Sequence, residues 1–225
     1  RRRPAAFRRK LDLRGPARRG AAEPPGVPSR KVTDSRLIHL NGIPGCGKST
    51  IGSLYASHYP GSLVLDVDDI VPTLDGWTVD FFAAFDVARG LAATEAQRVL
   101  SAGRDVVLPQ MITNQGESDD FELAAAAACA EYVQIVIDVD PAEAMARIAQ
   151  RHRRDSELNR IIRDVIRSHG DVEFLHKLRL QLDRHVATKP LRGRFDATRM
   201  SIEDAHTAVV RALGASNPFG RHAAE

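Results

Sequence analysis

The chain has 225 residues, enough for one α/β domain with a substantial core. No stretch approaches the 18 or more uninterrupted apolar residues of a transmembrane helix, so a membrane-embedded protein is excluded and no membrane partner is expected. The net charge of +3 hides a split: twelve of the 32 Lys and Arg but only Asp12, Glu23 and Asp34 of the 29 acids lie in residues 1–36, leaving +9 there and −6 beyond.

Residues 1–36 are rich in Arg, Pro, Ala and Gly, and this composition reads as disordered. The segment could contact nucleic acid or an anionic surface, serve as a targeting signal, or be an extension without function. The last is favoured, because the serines and apolar periodicity of a transit peptide are missing. No basic patch with interleaved aromatics follows, so nucleic acid is not an expected partner except through this tail.

Residues 37–41 read as a strand, and Ser49 to Tyr55 as a helix. Between them, Gly42-Ile43-Pro44-Gly45-Cys46-Gly47-Lys48-Ser49 matches G-x-x-x-x-G-K-[ST] without a mismatch. The strand–loop–helix setting marks a phosphate-binding loop. Glycines let successive N–H groups converge on one anion, and the helix start adds partial positive charge. The nucleotide is expected on Gly42 to Thr50, with Lys48 reaching the β- and γ-phosphates and Ser49 ligating Mg²⁺.

Leu63 to Val67 reads as a second strand ending in Asp66-Val67-Asp68-Asp69. Alternation along a strand would put Asp66 and Asp68 on one face. One carboxylate there suits proton acceptance from a substrate hydroxyl, and the other suits Mg²⁺: Asp68 is taken as base, Asp66 as metal ligand. Asp68 or Asp69 capping the following turn is the plainer reading. Trp77 suits a pocket wall or simple packing.

A long helix is predicted over 79–101, ended by Gly103, and a third strand over 105–108. Gln110 stands where many phosphate-loop proteins carry a metal-holding aspartate, so Gln110, with Asn114, is assigned to substrate and not to metal. A helix over 121–130 precedes a strand over 132–138. Asp140-Pro141-Ala142-Glu143 is a helix start, with a capping Asp, Pro at the first position and Glu three residues after the cap. That helix, to about 152, sets Arg147, Arg151 and Arg154 on one face. Arg147 and Arg151 are expected to close over the migrating phosphoryl group, although a solvated basic face is the common fate of such runs.

Helices over 156–168 and 171–186, a weak strand over 193–196 and a last helix over 201–213 complete the pattern. Strands separated by helical crossovers imply an α/β fold with a parallel sheet covered on both faces. The eight histidines, among them His39, His58 and His169, have no metal-ligand spacing. Two cysteines, one inside the phosphate loop, fit a reducing cytoplasm.

The loop, Leu-Asp-Val-Asp-Asp after strand two and Asp-Pro-x-Glu-x-x-x-Arg-x-x-x-Arg after strand four resemble the small P-loop kinases. That group includes zeta-toxin-type kinases, chloramphenicol phosphotransferase and uncharacterised bacterial AAA-family ATPases, and the likeness spans about residues 37 to 213. It implies a P-loop NTPase fold of nucleotide-kinase type, three layers around a five-stranded parallel sheet with a helical lid. Asp68 would act on the hydroxyl acceptor, and Arg147 and Arg151 on the phosphates. Gln110 departs from the pattern.

The expected organisation is a tail over 1–36, a kinase domain over 37–215 with its lid at about 150–186, and a flexible end over 216–225. The expected function is ATP- and Mg²⁺-dependent phosphorylation of a hydroxyl on a small polar molecule, such as a sugar, nucleoside, sugar nucleotide or antibiotic. A zeta-like toxin acting on an activated sugar and a nucleotide-binding regulator with a nucleic-acid-binding tail are the alternatives. The polarity of residues 156–186 suggests a hydrophilic acceptor.

Overall fold

In a computed structural model, which describes residues 35–150 and 156–214, five strands form one parallel sheet in the order β2-β3-β1-β4-β5. They are β1 (Arg36–Asn41), β2 (Leu63–Val64), β3 (Val106–Leu108), β4 (Glu131–Asp138) and β5 (Gly193–Asp196). β1 is central, in register with β3 (Ile38 opposite Val107) and with β4 (Ile38 opposite Val133). Its residues are almost all buried, as a strand covered on both faces requires.

Alternation along β1 feeds two cores. Leu37 joins Val106, Leu108, Phe121 and the alanines of α3 (Phe81–Ser101) on one face. Ile38 and Leu40 join Ile135, Ile137, Ile51 and Val209 on the other, under α1 (Lys48–His58), α5 (Pro141–Gln150) and α8 (Ile202–Gly214). The result is the three-layer α/β architecture expected from the pattern, with α4 (Gln115–Ala127) beside α3.

Two element boundaries differ from expectation. β2 stops at Val64, and Val67–Ile70 form a short helix, α2. Strand alternation therefore does not apply to Asp66 and Asp68, because Asp66 caps that helix through a bond from the Asp68 N–H. α4 begins at Gln115 and not at 121, because the Asn114 side chain accepts from the Glu117 N–H and starts the helix six residues earlier.

α6 (Glu157–Ser168) and α7 (Val172–Val186) both lie in the segment read as a lid. α7 is anchored: Leu182 and Val186 pack on Val136, and Arg179 donates to the Val139 carbonyl. The turn between the two helices holds Gly170 and Asp171 at positive φ. Residues 1–34, Arg151 to Asp155 and the last eleven residues lie outside the described residues, and with them the expectations placed there; of the expected tail, Ser35 is buried and Arg36 opens β1.

Candidate active site

The phosphate loop is seated by close approach. A Cβ at Gly45, whose φ is +89°, would stand 2.6 Å from the Ala144 carbonyl oxygen on α5. One at Gly42 would stand 2.4 Å from the Ile137 carbonyl oxygen at the end of β4. No side chain fits either place, so glycine lets the loop lie against the sheet and α5. Ile43 and Cys46 are buried beneath the loop, leaving the backbone to face the anion. Lys48 folds back so that Nζ donates to the carbonyls of Gly42 (2.7 Å) and Ile43 (3.2 Å).

Ser49 opens α1, and its hydroxyl donates to Asp66 Oδ2 at 2.7 Å. Burial pushes the Asp66 carboxyl above its ordinary value, opposed by its bonds from Ser49 and the Asp68 N–H and assisted by nearby Asp69. A hydroxyl oxygen and a carboxylate oxygen beside a triphosphate loop are hard donors of the kind Mg²⁺ takes, so the pair fits that ion.

The raised value sets a sign. Ionised Asp66 is disfavoured without a counter-cation, so its stabilising contribution is full below the ordinary carboxylate value and is lost as pH rises through the raised one. Mg²⁺ held there would have to displace that proton. Its affinity is therefore expected to weaken as pH falls through the raised value toward about 4. Asp66→Asn preserves a helix cap and removes a partly buried carboxylate. It is expected to leave the melting temperature equal or higher, while Mg²⁺ affinity in calorimetry drops by about 10–100-fold.

Beside the loop lies a cleft of about 250 Å³. Lys48, Ser49, Asp68 and Gln110 all face it, so the structure gathers the expected phosphate, base and acceptor residues at one place. Asn159 and Arg163 of α6 also line it. Sequence reading left both out because the inward stripe of α6 is marked by its apolar residues, Leu158, Ile162 and Ile166, and the polar Asn159 and Arg163 beside it carry no motif of their own. Phe81, Phe85, Pro109, Met111, Ile148 and Ile162 supply the rest of the wall. This wall is far more apolar than the polarity of residues 156–186 suggested.

Gln110 is held from beneath. His39 is fully buried, with Nε2 2.9 Å from the Gln110 carbonyl and Nδ1 2.7 Å from the Tyr132 hydroxyl. Burial pushes this imidazole down to about 4, so it is neutral. A carbonyl only accepts, so Nε2 carries the proton and Tyr132 donates to Nδ1. Asn41 adds a second clamp: its Oδ1 accepts from the N–H groups of Gly42 and Ile112, and its Nδ2 donates to the Ile112 carbonyl. Thus β1 ties the phosphate loop to the segment carrying Gln110 and Met111. His39 is a scaffold residue, in keeping with its reading as a strand histidine. Among the described residues no group of three or more His, Cys, Asp or Glu is placed to hold a metal.

Two expected residues, Asn114 and Arg147, lie elsewhere. Asn114 caps α4 and lines a surface depression with Asp86, Arg89 and Glu117, apart from the cleft with Asp68. Its amide oxygen is committed to the helix start. Arg147 donates to Glu143 (2.8 Å) and to the carbonyls of Ala197 (3.0 Å) and Thr198 (2.8 Å). It lines a second depression with Gly45, Gly47, Thr50 and Ser201, on the opposite side of the loop from Asp68. It therefore braces the β5–α8 connection and is not gathered with Asp68, since its i−4 glutamate and two carbonyls hold the guanidinium there. Arg151 lies outside the described residues. Trp77 packs, half-buried, against the core under α3 and takes no part in the cleft wall. No helix of the described residues is long and apolar enough to cross a membrane.

The family described as AAA domain matches residues 37–169, more than half of the chain, and the chain belongs to that family. The fold is that of P-loop kinases. The Mycobacterium tuberculosis APS kinase, in complex with AMPPNP and APS, superposes with a TM-score of 0.57 at 15% identity, covering 81% of this chain and 99% of the kinase. Shikimate kinase from Bacteroides thetaiotaomicron gives 0.54 at 16%, covering 80% and 99%. The tunicamycin resistance protein of Deinococcus radiodurans gives 0.55 at 12%, covering 81% and 97%. The search of curated proteins returns no match.

Proposed function

We propose that this member of the AAA-domain family is an ATP- and Mg²⁺-dependent phosphotransferase that phosphorylates a hydroxyl group of a small molecule. One observation carries the reading: Lys48 and Ser49 of the phosphate loop line the same cleft as the Asp68 carboxylate and Gln110. That shared lining supports a reading in which an acceptor hydroxyl lies between a triphosphate's terminal group and a base. The names of the structural neighbours, kinases of APS and of shikimate, agree with a small-molecule acceptor.

In the proposed mechanism the loop N–H groups and Lys48 hold the β- and γ-phosphates. Ser49 and Asp66 would hold Mg²⁺, whose contribution is neutralisation of charge on those phosphates. Asp68 orients the acceptor hydroxyl and takes its proton as the acceptor oxygen bonds to the γ-phosphorus. The bond from that phosphorus to the β–γ bridging oxygen breaks, and ADP leaves with the electron pair. Gln110, fixed through His39, positions the acceptor. Arg147 walls the depression on the far side of the loop, where the nucleoside end of ATP has room. Arg151 and α6 are assigned to the closing lid. A toxin acting on an activated sugar would use the same chemistry. The buried Cys46 thiol inside the loop suits a reducing compartment such as the cytoplasm.

Calorimetry with Mg²⁺ and ATP, followed by ADP release against a panel of alcohols, tests the reading. Saturable ATP binding with acceptor-dependent ADP release is expected. Absence of ATP and GTP binding would sink it, and ATP binding with no release beyond slow hydrolysis would leave a nucleotide-binding regulator in its place.

A further inference from the structure

The acceptor side of the cleft is built for more than a polyol. Phe81 and Phe85 stand one helical turn apart on α3, with ring centroids 4.9 Å apart and planes inclined at 64°. Both line the cleft, as do Met111 after β3 and Ile162 on α6. The apolar surface continues outward. Phe82 meets Phe81 edge-on at 5.7 Å and is 76% exposed, and Val79 just before it is 89% exposed.

A sugar bound against such a wall would lose water from several hydroxyls without gaining partners there, at a cost for each unpaired group. An aryl ring or branched hydrocarbon placed on the same wall loses no hydrogen bond and gains edge-to-face packing. The polar groups facing the cleft come from the phosphate loop, from Asp68, and from Gln110, Asn159 and Arg163. They suit one end of a molecule, and the phenylalanines suit the other.

We propose that the acceptor is an amphiphilic alcohol, one whose reactive hydroxyl sits beside an aryl or branched apolar group that packs on Phe81, Phe85 and Met111. This rests on the kinase reading of the same cleft and narrows it to a substrate class. Phe82 and Val79 then form a lip over which the apolar part of a larger acceptor extends. The polar end reaches Asp68 and Gln110, which supply proton acceptance and orientation.

The test uses the intact chain with Mg²⁺ and AMPPNP, and measures binding of matched alcohols by ligand-observed NMR titration. Phenyl and methyl β-D-glucopyranoside form one pair, 1-phenyl-1,2-ethanediol and 1,2-propanediol the other. Each pair presents the same hydroxyls with and without an aryl group. The aryl member is expected to bind about tenfold more tightly, equivalent to about 1.4 kcal/mol. Phe85→Ala is expected to bring that ratio toward one. Phe82→Ser, at a site exposed enough to leave folding undisturbed, is expected to reduce the ratio by a smaller factor.

Equal binding within each pair, or no aryl binding while AMPPNP binds, overturns the inference and leaves the kinase reading standing; Phe81 and Phe85 are then core residues only. An unchanged ratio in both variants overturns it as well. Failure of AMPPNP itself to bind removes the kinase reading, and the acceptor class with it.

Discussion

Lys48→Ala is expected to lower acceptor-dependent ADP release by about 10²–10³-fold, with the fold intact. In the structure the Lys48 ammonium is satisfied by two loop carbonyls, Gly42 at 2.7 Å and Ile43 at 3.2 Å. Those bonds hold the cation against the phosphate loop. A triphosphate offers it stronger, charged acceptors, and the exchange costs only a rotation of a flexible side chain. As the γ-phosphoryl group separates from ADP, charge grows on the bridging and equatorial oxygens. A cation already beside them stabilises that growth without reorganisation.

Alanine removes the cation and leaves two partly buried carbonyls accessible to water, so the stability change is expected below about 1 kcal/mol. Lys48→Arg is expected to be nearly as inactive, because a planar fork does not fit where a compact ammonium bridges two carbonyls. Calorimetry and ADP release separate the effects: ATP affinity falls modestly and kcat falls steeply. Equal loss of affinity and turnover would reduce Lys48 to a ground-state binder.

The parts of this molecule written in local sequence were legible before any coordinates. The phosphate loop declares itself because its glycines are required one by one, at Gly42 and Gly45 by direct backbone contact. The start of α5 at Asp140-Pro141 declares itself through capping chemistry, with Asp140 accepting from the N–H groups of Ala142 and Glu143. The sheet followed from alternating strand and helix patterns, and its five parallel strands match those implied by the P-loop kinase resemblance.

Most of what escaped depends on partners distant in the chain. Asn114 is the exception, because its cap signature with Glu117, Asn followed three residues later by Glu, is local and readable. Spacing alone puts Arg147 on one predicted face with Arg151, but the direction of Arg147 is set by carbonyls about fifty residues away, at Ala197 and Thr198. The roles of His39 and Asn41 are invisible in β1 alone, since their partners lie on β4 and after β3. The apolar wall was missed for a related reason. Composition weights every face of a helix alike, whereas a cleft is lined by one stripe from each of several elements.

Asp68→Asn is expected to lower kcat by about 10²–10⁴-fold while leaving the dissociation constant for ATP within about twofold. The backbone at this position does not depend on the carboxylate. Asp68 N–H is held by Asp66 Oδ1 at 3.1 Å, within a helix start that Asp66 itself caps. Asparagine therefore inherits the location and the shape. It lacks the capacity to take a proton, so an acceptor hydroxyl must be deprotonated by water or by the leaving phosphate. Phosphate-loop contacts are untouched, which is why ATP binding is expected to persist.

Asp69→Asn is the internal control. Asp69 follows directly and is exposed, and it lies outside the cleft wall. Its substitution is expected to change kcat by less than about threefold, in line with the small effects of surface changes. Crowded carboxylates at the end of β2 thus divide into distinct tasks. Asp66 caps α2 and meets Ser49, Asp68 faces the cleft, and Asp69 faces solvent. If turnover survives the substitution, the proton leaves by another route and the assignment of Asp68 as base is wrong.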